Sequence, residues 1–400
     1  MFRRKSSDKM RPVILTFTGH YLPGYKAGGP IRTIAAMVDQ LGDDFAFHIV
    51  TSDRDLGDMV PYPNVLINQW TNIGKARVFY RSPGEIGWRA LRDSLRDVRA
   101  DLVYLNSLFS PVSTLRPLLQ WRLNRYPSAA LLLAPRGELS LGALKGKPLK
   151  KKAFLRMARV TGLYSGVVFQ ASSDHEADDI QRELGNQNIM VALDLSEQGG
   201  PLPDIAVHSG ADRPLRAVFL SRISPKKNLL GALQMLKHVR IPMTYDIYGV
   251  IEDKDYWAAC EAAIRALPEH VEARFQRELR PEEVQTVLGK YDMFFFPTLG
   301  ENYGHVIREA LSAGLPTLIS DQTPWLDLDA KNAGAALPLH DQDGFLAWIE
   351  AFAKLDAGQK QTMRRAAHAR GNDKVKAMQD REINRQMLQS MVMRRQGSPH

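Results

Sequence analysis

The chain reads as an α/β protein built from two doubly wound parallel sheets, and three observations predict this. Strand-like apolar runs alternate with stretches of helical spacing through both halves, the pattern that places helices on the faces of a parallel sheet. Four hundred residues exceed what one ordinary hydrophobic core fills, so two domains are expected. Between the halves lies a break rich in turn formers, from Glu197 to Pro203 and again from His208 to Pro214.

In the first half, strands are expected near 13–18, 46–52, 101–106, 130–135 and 166–171, each a short apolar run of the kind a strand buried on both faces shows. Helices fall between them, near 30–41, 86–98, 112–124, 149–160 and 173–184. After the break the pattern restarts with strands near 216–220, 244–248, 292–296 and 316–320, again alternating with helices. Two Rossmann-like domains are therefore expected, at 11–200 and 213–370. The tail at 374–393 is polar with scattered Ile383, Met387 and Leu388, and reads as a surface helix that packs back on the first domain. Sheets of this type bind ligands at the carboxyl ends of their strands, so the cleft between the domains is the expected place for chemistry.

Composition narrows the class. With 44% hydrophobic and 24% charged residues the chain is neither disordered nor collagenous. Its single cysteine, Cys260, permits no internal disulfide, reads as a small buried apolar group, and fits a reducing compartment. The basic head Met1 to Lys5 is followed by an apolar run at 13–17 too short for a secretory core, so that run reads as a first strand. No stretch approaches the roughly 20 apolar residues of a membrane-spanning helix. The expectation is a soluble, cytoplasmic protein whose net charge of +9 leaves room for an anionic partner.

The most informative segment runs from Phe294 to Gly314. A buried strand at 292–296 leads through a loop carrying Glu301 to Gly304, after which Val306, Ile307, Ala310 and Leu311 recur at helical spacing. His305 and Glu309, four apart, share the opposite face. Gly304 lets backbone amides approach a ligand, and the first turn of the helix favours a phosphate or a polar hydroxyl. Glu309 then suits vicinal hydroxyls as a bidentate acceptor. Taken alone, the two carboxylates are equally well read as a loop residue and a solvated helix residue.

A second feature tips that balance. The strand at 216–220 ends in a basic loop, where Arg222 can fork onto a phosphate and Lys227 can supply a point charge. Cations at the end of one strand and carboxylates at the end of another, in one sheet, are harder to read as separate solvated turns. In the first half, Gly24, Gly28 and Gly29 precede Pro30, which is well placed as a first helical residue. This is no dinucleotide fingerprint, since no acidic residue follows in the right context; it is either a plain turn or a close approach of backbone to a ligand. Asp327 with Asp329, and Asp341 with Asp343, imitate a metal-binding pair but lie in loops or helix starts, where aspartate is favoured anyway. His20 and His175 are read as solvated or capping residues. No metal is expected.

These residues together resemble the retaining glycosyltransferases of family four, the group-one set with the GT-B architecture. The resemblance rests on Glu301 and Glu309 with Gly304 between them, on Arg222 and Lys227, and on Gly28, Gly29 and Pro30, and so covers nearly the whole chain. The segment Ala134 to Gly137, then Ala143 to Lys145 and a basic helix, is similar to members that build bacterial exopolysaccharide or capsule. The resemblance implies catalytic roles for Arg222, Lys227 and Glu301. It implies substrate binding by Gly28, Gly29, Asn106, Arg136, Asn302, Tyr303, Gly304 and Glu309, with Glu309 on the nucleotide ribose and the amides around Asn302 to Gly304 on the donor sugar. It implies a metal-independent transfer without a cofactor, in which the leaving phosphate accepts the acceptor's proton on the same face. One departure is that many relatives carry a histidine where this chain has Asn106, which can hydrogen-bond a sugar but cannot act as a base.

The stretch 145–159 carries Lys145, Lys147, Lys150, Lys151, Lys152, Arg156 and Arg159 with no acidic residue, interleaved with Leu149, Phe154, Leu155 and Met157. Basic charge with apolar residues on one helix suits an anionic membrane surface. A solvated face is the plain alternative, and no nucleic-acid module accompanies it. The expected function is transfer of a hexosyl unit, with retention, from a nucleotide-diphosphate sugar to a lipid-linked or saccharide acceptor in surface polysaccharide synthesis, peripheral to the inner face of the cell membrane. The alternatives are a sugar-nucleotide epimerase of the same architecture, a non-catalytic nucleotide-sugar-binding subunit and, more distantly, an oxidoreductase.

Overall fold

A computed structural model describes residues 11–126, 129–144, 148–197, 200–202 and 213–394. Most of the turn-rich break, Lys145 and Lys147 of the basic stretch, and the basic head fall outside the described residues. The chain divides into two compact units. One takes the residues up to Leu139, from Leu149 to Ser196 and from Met378 onward; the other takes Ser140–Pro148 and Glu197–Ala377. Ser140–Pro148, which the sequence puts inside the first domain, group with the second unit because the short helix there lies beside the Pro225–Lys227 turn; a Cβ on Gly142 would sit 3.8 Å from the Lys226 side chain.

In chain order the first unit contains β1 (Val13–Thr18), α1 (Gly29–Leu41), β2 (Ala46–Ser52), β3 (Trp70–Ile73), β4 (Ala76–Arg81), α2 (Gly84–Ser94), β5 (Leu102–Asn106), α3 (Arg116–Arg122) and β6 (Ala130–Ala134). The short helix α4 (Leu141–Leu144) follows, then α5 (Pro148–Val160), β7 (Val168–Ala171), α6 (Asp174–Leu184) and β8 (Asn188–Val191). The strands form one sheet in the order β3-β4-β2-β1-β5-β6-β7-β8, parallel throughout except for β3, which runs against β4. Strand order reverses between β1 and β5, where Thr18 lies opposite Asn106.

The second unit contains β9 (Leu215–Leu220), α7 (Leu229–Leu236), β10 (Met243–Tyr248), α8 (Lys254–Arg265), β11 (Val271–Phe275), α9 (Pro281–Leu288), β12 (Met293–Phe296) and α10 (His305–Ser312). Then come β13 (Thr317–Ser320), β14 (Gly334–Leu337), α11 (Gln342–Lys354) and α12 (Ala357–Gly371), and α13 (Lys374–Arg394) closes the chain. The sheet is wholly parallel, in the order β11-β10-β9-β12-β13-β14, and its order reverses between β9 and β12. β12 is fully buried along its length, as its uninterrupted apolar run requires.

Four of the five strands not read from the sequence, β3, β8, β11 and β14, are the edges of the two sheets. Edge strands are short and partly exposed, so they lack the continuous apolar run that marks a central strand. The fifth, β4, is central, but Arg77 and Arg81 interrupt it; the Arg81 guanidinium is kept inside by stacking over Trp88 at 4.8 Å.

The closing helix is more than a surface element. Met387, Leu388, Met391 and Val392 join the core of the first unit beside Ile14, Leu132 and Val168, while Ile383 points outward. Asn384 is buried and donates Nδ2 to the Leu193 carbonyl at 2.8 Å, and Arg381 donates to the Gln40 carbonyl at 3.1 Å. In the second unit α12 uses buried cations to finish other helices. Lys360 donates to the Ala353 carbonyl at 3.1 Å near the end of α11, and Arg364 to the Tyr291 carbonyl at 2.9 Å beyond α9. Burial holds both below their ordinary pKa. No described helix is long and apolar enough to cross a membrane.

Candidate functional site

In the second unit, two loops leave the carboxyl edge of the sheet on either side of the point where strand order reverses, and the sequence explains how each is held. After β9 the chain turns through Pro225–Lys227, and Asn228 adopts a left-handed conformation with φ 57°. Its amide donates to the Pro297 carbonyl at 2.7 Å, which ties this turn to the loop after β12. The tie is doubled where the Leu299 amide donates to the Lys226 carbonyl at 2.9 Å. The buried Ser320 hydroxyl, at the end of β13, donates to the Thr298 carbonyl at 2.5 Å from the other side.

Within this frame the Lys227 ammonium donates to the Glu301 carboxylate at 2.5 Å, both side chains being largely buried. The Thr298 hydroxyl lies 3.3 Å from the same carboxylate oxygen, and the Glu301 amide donates to the Gln322 carbonyl at 2.9 Å. Lys227 also stands 5.9 Å from the centre of the Phe296 ring. Arg222 does not join this pair directly. It donates to Glu252 at 3.0 Å in the neighbouring loop after β10, with both side chains partly exposed. That approach depends on Gly249, where φ is 143° and a Cβ would lie 1.8 Å from the Ser221 carbonyl oxygen.

α10 begins at Gly304, whose φ of 80° and contact with Ile307, 2.8 Å from a Cβ, exclude a side chain there. The amides of a helix's first turn are not used by its internal hydrogen-bond ladder. Tyr303 is buried against Trp325, whose indole donates to the Tyr303 carbonyl at 2.5 Å, and its ring packs on His305. Asn302 Nδ2 is buried without a hydrogen-bond partner among the described residues. Glu309 lies on α10, half-buried, on the helix that starts at Gly304; Val306, expected in the core stripe, is only partly covered.

In the first unit Gly28 caps α1 with φ 71°, Gly29 opens the helix, and the preceding loop is pinned by the buried Asp55 carboxylate, which accepts from the Tyr25 and Lys26 amides at 2.8 and 3.2 Å. Asn106 ends β5 as expected, but its role is set by Arg136. Arg136, which the resemblance assigns to substrate, has its guanidinium buried in a network. It donates to Asn106 Oδ1 from Nε at 3.1 Å and Nη2 at 2.7 Å, to the Tyr104 hydroxyl at 2.6 Å, and pairs with Asp194. Arg136 itself takes a left-handed φ of 55°. Burial pulls the Arg136 guanidinium down, but Asp194, Tyr104 and Glu176 together outweigh it and hold it charged. Burial also pushes the Asp194 carboxyl up, against Arg136 and the Thr33 hydroxyl; we read the pair as ionised, because guanidinium does not deprotonate.

The sequence did not single out Glu252, Thr298, Tyr104 or Asp194. None sits in a motif; Asp194 meets Arg136 across 58 residues of chain, a separation no local pattern encodes. The discounted aspartates have structural partners: Asp327 pairs with Arg370 at 2.9 Å and Asp341 caps α11 through the Gly344 amide at 3.0 Å. His20 faces the Arg54 carbonyl at 3.1 Å, and His175 is exposed at the start of α6. Among the described residues no group of three His, Cys, Asp or Glu is placed to hold a metal ion.

Two Rossmann-like parallel-sheet units with this site at the second switch point define the GT-B fold. Sucrose-phosphate synthase from Thermosynechococcus elongatus superposes with a TM-score of 0.64 at 15% identity, covering 95% of this chain and all of that one. HepE from Anabaena, solved with UDP and glucose, gives 0.62 at 16% identity over the same shares. WaaG, a glycosyltransferase involved in lipopolysaccharide biosynthesis, gives 0.60 at 12% identity, covering 94% of this chain and 99% of that one. More particularly, residues 204–370 match the family model described as glycosyl transferases group 1. A curated relative, O-antigen chain mannosyltransferase B of Escherichia coli, is 27% identical over 161 residues, 39% of this chain and 40% of the relative's length.

Proposed function

We propose that this protein is a retaining, metal-independent glycosyltransferase that moves a hexosyl unit from a nucleotide-diphosphate sugar to a lipid-linked or saccharide acceptor in surface polysaccharide synthesis. The observation that carries the reading is the Lys227–Glu301 pair beside the start of α10, at the switch point of a group 1 domain. The neighbours solved with UDP, and the O-antigen and lipopolysaccharide roles of two relatives, support a nucleotide sugar and a polysaccharide product.

The chemistry is coherent at this site. The acceptor hydroxyl oxygen bonds to the anomeric carbon as the bond from that carbon to the phosphate oxygen breaks on the same face, and the hydroxyl proton passes to the leaving phosphate. The departing diphosphate gains negative charge, which Lys227, Arg222 and the first amides of α10 stabilise in a preorganised way. An ammonium has three donors, so Lys227 can keep Glu301 while reaching phosphate. Glu301 and the amides near Asn302 hold the sugar, and Glu309 the ribose. Gly28, Gly29 and Asn106 serve the acceptor side.

The test is a thermal-shift screen with UDP-, GDP- and ADP-sugars followed by transfer assays with the stabilising donor in the presence of chelator. A ligand well above its dissociation constant raises stability by about 2–4 kcal/mol. A donor-derived product with retained anomeric configuration is expected; inversion, strict dependence on a divalent ion, or no stabilisation by any donor overturns the reading.

A further inference from the structure

Residues 102–173 carry eleven basic side chains and one acidic residue, Glu138. The whole chain has a net charge of +9, so the rest is close to neutral and the excess is concentrated in this stretch. Glu138 does little to offset it at the surface, because its carboxylate is occupied by the Ser107 hydroxyl at 2.9 Å and the Leu108 and Phe109 amides at 2.7 and 3.0 Å. Arg136 is buried and Lys145 and Lys147 are outside the described residues; the other eight cations lie on α3, in the turn after it, and on α5.

These two helices form one surface of the first unit. Both connect parallel strands in the same direction across the sheet, and right-handed crossovers put such helices on the same face. Phe109, just before α3, packs edge-on against Phe154 of α5 at 5.6 Å, and Arg122 at the end of α3 donates to the Gly162 carbonyl beyond α5 at 2.7 Å. Between the cations stand large apolar side chains turned to solvent: Leu119 and Leu123 are 51% and 73% exposed, and Leu149, Met157 and Val160 are 83%, 44% and 88% exposed. Beside α3, toward α2, a hollow of about 1020 Å³ has Trp88 and Leu91 among its apolar lining and Arg96, Arg99 and Arg125 among its cations.

Cations alone would suit any polyanion. Bulky aliphatic residues between them have no use against a phosphate backbone, whereas the interfacial layer of a bilayer takes both together. We propose that the outer face of α3 and α5 docks on an anionic lipid bilayer, its lysines and arginines on the headgroups and its exposed leucines, Met157 and Val160 in the interfacial layer. This widens the expectation for 145–159 from one helix to a two-helix face, and it does not depend on the reaction the second unit carries out.

The experiment is co-sedimentation of the full chain with vesicles of phosphatidylcholine alone and with added phosphatidylglycerol, at low and high salt. Binding is expected to be about tenfold or more tighter to the anionic vesicles, and to weaken as salt screens the cations. Lys150→Ser/Lys152→Ser/Arg156→Ser should abolish the anionic preference, and Leu119→Ser/Leu123→Ser should lower binding severalfold at either salt concentration; all five positions are exposed, and an unchanged melting curve verifies the fold. Equal binding to neutral and anionic vesicles, or wild-type binding by both variants, would each overturn the proposal.

Discussion

The Lys227 ammonium and the Glu301 carboxylate meet at 2.5 Å across the place where the second sheet reverses its strand order. Seventy-four residues separate them, yet the β9 and β12 loops that carry them are fastened by Asn228 and Leu299, so hydrogen bonds beside the ion pair also hold the two loops together. On the proposed reading, a site built this way would place charge where a leaving group develops it, with little reorganisation.

Lys227→Ala should therefore lower kcat by about 10²–10³ with a smaller effect on donor KM, the signature of stabilisation made in the transition state. Steady-state kinetics with the donor found in the thermal-shift screen measures this. Unchanged kcat would remove Lys227 from the chemistry.

Gly249→Ala tests the frame around Arg222. A Cβ there overlaps the Ser221 carbonyl at 1.8 Å in a backbone conformation side chains rarely adopt, so the loop must move. The expected result is a lower melting temperature together with weaker binding of the nucleoside diphosphate by calorimetry. Wild-type values for both would show that the β9 and β10 loops tolerate separation.

Arg136→Met should destabilise by about 3–5 kcal/mol, because it leaves the Asp194 carboxylate buried without its partner. The variant should also acquire a pH dependence. Burial already pushes Asp194 above the ordinary value of 3.8, and without Arg136 the rise is larger. A group whose folded pKa is raised stabilises below its unfolded pKa and loses that contribution as pH rises through the folded value. The melting temperature of the variant should consequently fall, relative to wild type, as pH rises from about 4 toward neutrality; a parallel pH profile would mean that Asp194 does not feel Arg136.

Cys260 is buried on α8 and its thiol is pushed up to about 11 by burial. Since only the thiolate reacts, and it is then about 10⁻³ of the total at pH 8, native protein should resist alkylation by iodoacetamide while denatured protein reacts at once. Rapid labelling of the native state, followed by mass spectrometry, would contradict the burial of Cys260.

Much of the architecture was legible because its signals are local. The apolar runs of β1, β5, β6, β9 and β12 are those of strands buried on both faces, and Gly304 marks a strand-to-helix turn that admits no side chain. The edge strands β3, β8, β11 and β14 were not legible, since a strand with one neighbour has no need of a continuous apolar run. The closing helix was visible as a helix, but the buried positions of Met391 and Val392 depend on the strands beneath them.

By itself, then, the amino-acid order determined the alternating α/β pattern, the two-sheet organisation, the loops on which Arg222, Lys227 and Glu301 stand and the helix that carries Glu309, because periodicity and turn chemistry act over a few residues. Only the tertiary structure decided which charges meet: Lys227 with Glu301, Arg222 with Glu252, and Arg136 with Asp194. Ion pairs between segments tens of residues apart depend on strand order, which no local stretch of sequence encodes.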